Sequence, residues 1–92
     1  MCVLVIQHQV QDFSAWKSAF DSDPAGRREH GVTRHSIYRP SDDPSRVVIN
    51  LEFGSVQQAR DFLDLPALRA AWQGFGVAPE TQILEAVEII DY

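Results

Sequence analysis

The run Val47-Val48-Ile49-Asn50-Leu51-Glu52-Phe53 limits the folds open to this chain more than any other stretch. Val47, Ile49, Leu51 and Phe53 fall on one side of an extended backbone, and Val48, Asn50 and Glu52 on the other. This period of two predicts a strand with one core face and one face that is apolar at one end and polar at the other. The remaining elements are expected to pack around it.

At 92 residues the chain is expected to form one domain, spanning residues 1–92. A domain of this size buries only about 60% of the surface its unfolded chain exposes, so added area matters to its stability. Disulfides supply none of it, because Cys2 has no partner in the chain, and a lone cysteine points to a reducing, cytoplasmic setting. The apolar run Val3-Leu4-Val5-Ile6 is too short for a signal segment or a membrane span. Thirteen acidic against eight basic side chains leave a net charge of −5, a field that repels nucleic-acid backbones and anionic membranes. Neither is expected as a partner.

Residues 2 to 9 read as a first strand, apolar on both faces at its start. Asp12 is a candidate N-cap for a helix whose stripe is Phe13, Trp16 and Phe20. Asp23-Pro24 interrupts that helix, which is expected to resume through Arg27 and Arg28 to His30 and stop at Gly31. Val32 to Arg39 reads as a second strand, joined to the central one by the turn cluster Pro40-Ser41-Asp42-Asp43-Pro44-Ser45. Pairing Tyr38 with Val48 sets Ser36 opposite Asn50 and Arg34 opposite Glu52, with Ile37 meeting Ile49 on the other face. Ser55 and Gln58 form a capping box for a second helix carrying Ala59, Phe62 and Leu63. Pro66 restarts it at N1, and Leu68, Ala71, Trp72 and Phe75 continue its apolar face until Gly74 and Gly76. A last strand is expected from Thr81 to Ile90.

The order β, α, β, β, α, β predicts an α+β, ferredoxin-like fold: a four-stranded antiparallel sheet with helices on one face. Helices cover one face only, yet the strands carry apolar residues on both. A symmetric homodimer, meeting sheet face to sheet face, is the simplest cover.

Val5-Ile6-Gln7-His8-Gln9-Val10, Asp12-Phe13-Ser14-Ala15-Trp16-Lys17 with Phe20-Asp21, Tyr38-Arg39 with Asp42-Asp43-Pro44, Leu51-Glu52-Phe53, Ala59-Arg60-Asp61-Phe62-Leu63 and Pro66-Ala67-Leu68-Arg69-Ala70-Ala71 together resemble the dimeric α+β barrel superfamily, in particular the antibiotic biosynthesis monooxygenase-like proteins. The resemblance implies two sheets meeting across a dimer axis and a small-molecule pocket between sheet and helices. It spans cofactor-free oxygenases of aromatic polyketides, haem-degrading enzymes, muconolactone isomerases and cyclases, among which fold alone does not choose. Haem-degrading members use a helix-borne histidine, and residues 55 to 75 contain none.

His8, at the polar end of a buried strand, is the candidate catalytic base; its plainer reading is a satisfied histidine at the barrel mouth. Arg34, Tyr38 and Asn50 are candidate substrate-binding residues on one sheet face, with Ser36 and Glu52 beside them; the same set also reads as polar glue in a dimer interface. Trp16 and Trp72 sit at helical spacing within apolar stripes, where core packing is the commoner role; a pocket wall, for which Trp72 is the candidate, is the alternative. His30 and His35 read as structural. No Cys pair, His-x-x-x-His spacing or glycine-rich phosphate loop occurs, so neither metal nor cofactor is expected. An RNA-binding domain shares the element order, but Asn50 and Glu52 stand where stacking aromatics would be required. The leading reading is a small-molecule-binding barrel protein, with cofactor-independent monooxygenase or cyclase as its candidate activity on an aromatic or polyketide-like substrate. The alternative is a non-catalytic dimer that binds a metabolite or scaffolds a partner.

Overall fold

The structure is a computed structural model that describes residues 1–74 and 78–92. Its strands are β1 (Cys2–Gln9), β2 (Val32–Tyr38), β3 (Arg46–Phe53) and β4 (Glu80–Glu85); its helices are α1 (Phe13–Ser22), α2 (Val56–Leu63) and α3 (Pro66–Gln73). The strands form one antiparallel sheet in the order β2-β3-β1-β4, the ferredoxin-like arrangement.

The alternation in β3 becomes the two faces of this sheet. Val47, Ile49, Leu51 and Phe53 are buried, together with Cys2, Leu4, Ile6 and His8 of β1. Against them pack Trp16 of α1, Ala59 and Phe62 of α2 and Leu68 of α3. The hairpin has the register expected from its charges: Tyr38 pairs with Val48, Ile37 with Ile49, Ser36 with Asn50 and Arg34 with Glu52. A bulge between Val32 and Arg34 adds one residue to β2.

Local chemistry sets the helix ends. The Asp12 carboxylate accepts from Ala15 N–H at 3.2 Å, and Ser55 Oγ accepts from Gln58 N–H at 3.2 Å. The return half of the Ser55 box is replaced by a packing contact, because the Gln58 amide lies over Gly31. Gly31 adopts φ +98°, a left-handed conformation that an L side chain resists. Pro66 opens α3 at N1 as its ring predicts. Burial of a side chain such as Phe62, about 1.5–3 kcal/mol, outweighs the exposed Arg69–Asp64 pair at 3.4 Å, a kind of contact that contributes about 0–1 kcal/mol. Packing therefore holds the α2–α3 corner.

Two expectations are corrected. The stretch from Arg27 to His30 is not a resumed α-helix but a 3₁₀ turn over Arg28–His30, since Asp23 takes the left-handed conformation at φ 51° and turns the chain away from α1. The last strand stops at Glu85 rather than Ile90, because β1 runs out: Cys2 pairs with Glu85, and Ala86 N–H bonds to Met1 C=O at 3.1 Å. Val87, Ile89 and Ile90 then stand exposed. The expected helical positions Phe75 and Gly76 lie outside the described residues, and α3 closes at Gly74. No described helix is long and apolar enough to cross a membrane.

Candidate functional site

The alternation that buries Ile6 also buries His8, the last helix-side residue of β1, opposite Val47. Its ring meets Trp16 edge-on, with centroids 6.1 Å apart, and only 6% of the residue is exposed. Burial disfavours the imidazolium and lowers the pKa of His8 below its ordinary 6.5, so the neutral ring, a proton acceptor, predominates at neutral pH.

The stripe of α1 runs away from His8 as an aromatic row. Phe13 and Trp16 are 5.7 Å apart, Trp16 and Phe20 stack at 5.2 Å, and the guanidinium of Arg27 lies over Phe20 at 3.8 Å from the ring centroid. Between this row, α3 and the sheet lies a cavity of about 70 Å³, well above the ~10–15 Å³ that one water needs. Ile6, Ile49 and Leu51 form its floor, Phe62, Leu68 and Ala71 its roof, and Trp16, Phe20 and Trp72 its aromatic walls. Among the described residues its titratable lining is His8 and Arg27. An apolar, aromatic pocket with one neutral base and one fixed cation suits a planar ligand with an acidic hydrogen.

The sheet separates the residues singled out in the sequence. His8 and Trp72 both line the cavity. Arg34, Ser36, Tyr38, Asn50 and Glu52 occupy the opposite face, where Arg34 Nε lies 3.4 Å from Glu52 Oε2. One chain therefore does not bring Arg34, Tyr38 and Asn50 to a ligand that touches His8. His30 and His35 sit apart from the cavity: His30 Nδ1 is 2.8 Å from Gly26 O, and His35 meets Phe20 edge-on at 5.1 Å. Among the described residues no group of three His, Cys, Asp or Glu side chains is placed to hold a metal ion. Sequence reasoning missed Arg27, because only the turn at Asp23-Pro24 folds it back over the end of α1.

In its ferredoxin-like fold this chain is structurally similar to antibiotic biosynthesis monooxygenase-like proteins among solved structures. A candidate antibiotic biosynthesis monooxygenase from Deinococcus radiodurans matches with TM-score 0.79 at 13% identity, covering 100% of this chain and 98% of its own. A single-residue variant of SnoaB, a cofactor-independent oxygenase from Streptomyces nogalater, matches with TM-score 0.80 at 17% identity, covering 99% and 97%. A candidate antibiotic biosynthesis monooxygenase from Nitrosomonas europaea matches with TM-score 0.71 at 20% identity, covering 96% and 100%. At such identities the likeness is one of fold. No protein-family model matches the sequence, and no curated protein does so either.

Proposed function

We propose that this chain is a small-molecule-binding protein of the dimeric α+β barrel type that acts as a cofactor-independent monooxygenase on an aromatic, polyketide-like substrate. The observation that carries the reading is His8, a buried neutral imidazole in the wall of an aromatic cavity. Its fold is shared with a cofactor-independent oxygenase, which supports the reaction class. His8 takes a proton from the bound phenol or activated C–H, and the resulting anion is the electron donor to dioxygen. Over the full reaction one oxygen atom becomes a carbonyl at the attacked carbon and the other leaves as water, with both hydrogens and the electrons drawn from the substrate. Trp16, Phe20 and Trp72 supply the aromatic walls against which the ring system packs.

The homodimer belongs to the same proposal. Val3, Val5 and Val48 are only half-buried on the open sheet face and Leu84 is exposed there, so a second copy is the natural cover, with Arg34, Tyr38 and Asn50 in the seam. A second reading, in which the two open faces enclose a ligand held by Arg34, Tyr38 and Asn50, draws on the polar set those residues form. The free, buried Cys2 suits a reducing cytoplasm.

Oxygen uptake with phenolic polyketides and quinols tests the reaction. General bases contribute about 10²–10⁴-fold, so His8→Ala is expected to lower kcat about 100-fold or more while ligand binding, followed by tryptophan fluorescence, persists. Equal turnover by wild type and mutant removes His8 from the mechanism; loss of turnover on Asn50→Ala alone favours the seam as the site.

A further inference from the structure

Arg27 is an unusual wall for an apolar cavity. Its side chain is only 15% exposed, and three contacts hold it. Nη1 donates to Phe20 C=O at 2.9 Å, the same nitrogen lies 3.5 Å from Asp23 Oδ1, and the guanidinium plane rests on the Phe20 ring at 3.8 Å. A structural role accounts for part of this, since the bond to Phe20 C=O satisfies a carbonyl at the end of α1. It does not account for the charge. A guanidinium carries five N–H donors, and the hydrogen bond and ion pair found among the described residues both use Nη1, while the plane of the group rests on Phe20.

The counter-ion is loosely engaged. Asp23 Oδ1 accepts the Arg27 backbone N–H at 2.9 Å, whereas its 3.5 Å separation from Nη1 exceeds the ~2.7–2.9 Å of a charge-assisted hydrogen bond. Asp23 does not line the cavity, and no other carboxylate does so among the described residues. Arg27 is thus the fixed positive charge in the cavity lining among the described residues, beside Phe20 and Pro24, and it also borders the outer groove that Asp23 lines. Beside apolar side chains a charge acts more strongly than it would in solvent, and a planar guanidinium matches an oxygen anion through paired donors.

We propose that Arg27 is the specificity-determining residue of the cavity, selecting ligands that present an oxyanion on a planar apolar frame over neutral isosteres of the same shape. The proposal rests on the reading of the cavity as the ligand site. When a weak acid binds, its O–H bond breaks, the electron pair stays on oxygen facing Arg27, and the proton passes by way of His8 to the buffer. Asp23 tunes the effect by partly cancelling the charge.

The test is calorimetric titration of the full chain with para-nitrophenol and its neutral isostere para-nitroanisole, together with absorbance titration of the bound phenol against pH. A charge-assisted contact predicts that wild type prefers the phenolate about tenfold or more and lowers the apparent pKa of the bound phenol. Arg27→Met is expected to abolish that preference while still binding para-nitroanisole, and Arg27→Lys to keep part of it. Because Arg27→Met also removes a helix-end contact, Asp23→Asn provides a second measure. Asn tolerates the left-handed backbone at this position and still accepts the Arg27 N–H, so the variant removes only the counter-charge and is expected to strengthen phenolate preference. A phenolate preference unchanged in Arg27→Met, or absent from wild type that binds para-nitroanisole, overturns the role of Arg27 alone. Failure of wild type to bind either probe overturns the cavity reading and this proposal with it.

Discussion

His8 illustrates how one residue ties stability to chemistry. Its pKa is lowered by burial, so the unfolded chain binds the proton more readily than the folded one. Below 6.5 the unfolded state therefore takes up protons first, and stability falls with falling pH; above that value the contribution is constant. Urea denaturation across this range is expected to show a slope for wild type that flattens in His8→Leu, and identical slopes would mean that His8 titrates alike in both states. The same shift sets the acid limb of any His8-dependent activity below 6.5. His8 was legible in the sequence as a polar residue ending a buried strand. Arg27 was not: its sequence neighbours place it in a helix, and only the left-handed Asp23 folds it back onto Phe20.

Elements were legible where their signals are local. Asp12 and Ser55 cap the helices they were expected to cap, and Ser55→Ala is expected to cost about 1 kcal/mol, measured as a lowered urea midpoint with unchanged m-value. A loss near zero would mean that the Phe62 anchor alone positions α2. The β2–β3 register was readable because a slip by one residue would move Arg34 onto the core face. The length of β4 was not, since Val87, Ile89 and Ile90 have strand chemistry but no remaining β1 beside them. A strand ends where its partner ends, and the partner here is some 80 positions away in the chain, so composition alone cannot mark the stop.

At the scale of the whole molecule, one chain leaves an uncovered sheet face and an apolar C-terminal segment in which Val87 is 98% exposed. Together they are the surface expected to meet a second copy, and covering them supplies area that a domain of this size lacks. Wild type is expected to sediment as a dimer at micromolar concentration. Val48→Glu, which sets a carboxylate on the open face between Tyr38 and Gln7, is expected to shift it to monomer without loss of helical circular dichroism. A stable wild-type monomer would contradict the dimer.

The sequence by itself determined which residues share a face, because the two-residue period of a strand and the caps of a helix are properties of neighbours in the chain. It thereby specified the ferredoxin-like sheet, the β2–β3 pairing and the buried set around Leu51. The apolar face of β3 was legible as the core face and its polar face as the one pointing away from the helices; the tertiary structure was needed to bring His8 of β1 and Trp72 of α3 together at one cavity, with Arg34, Tyr38 and Asn50 across the sheet from it. That division depends on the pairing of β1 with β3, a contact between distant segments. Its register places His8 opposite Val47 and on the core side. The polar face of β3, prominent from the outset, faces away from the helices, and the chemistry proposed for this protein lies beneath the other.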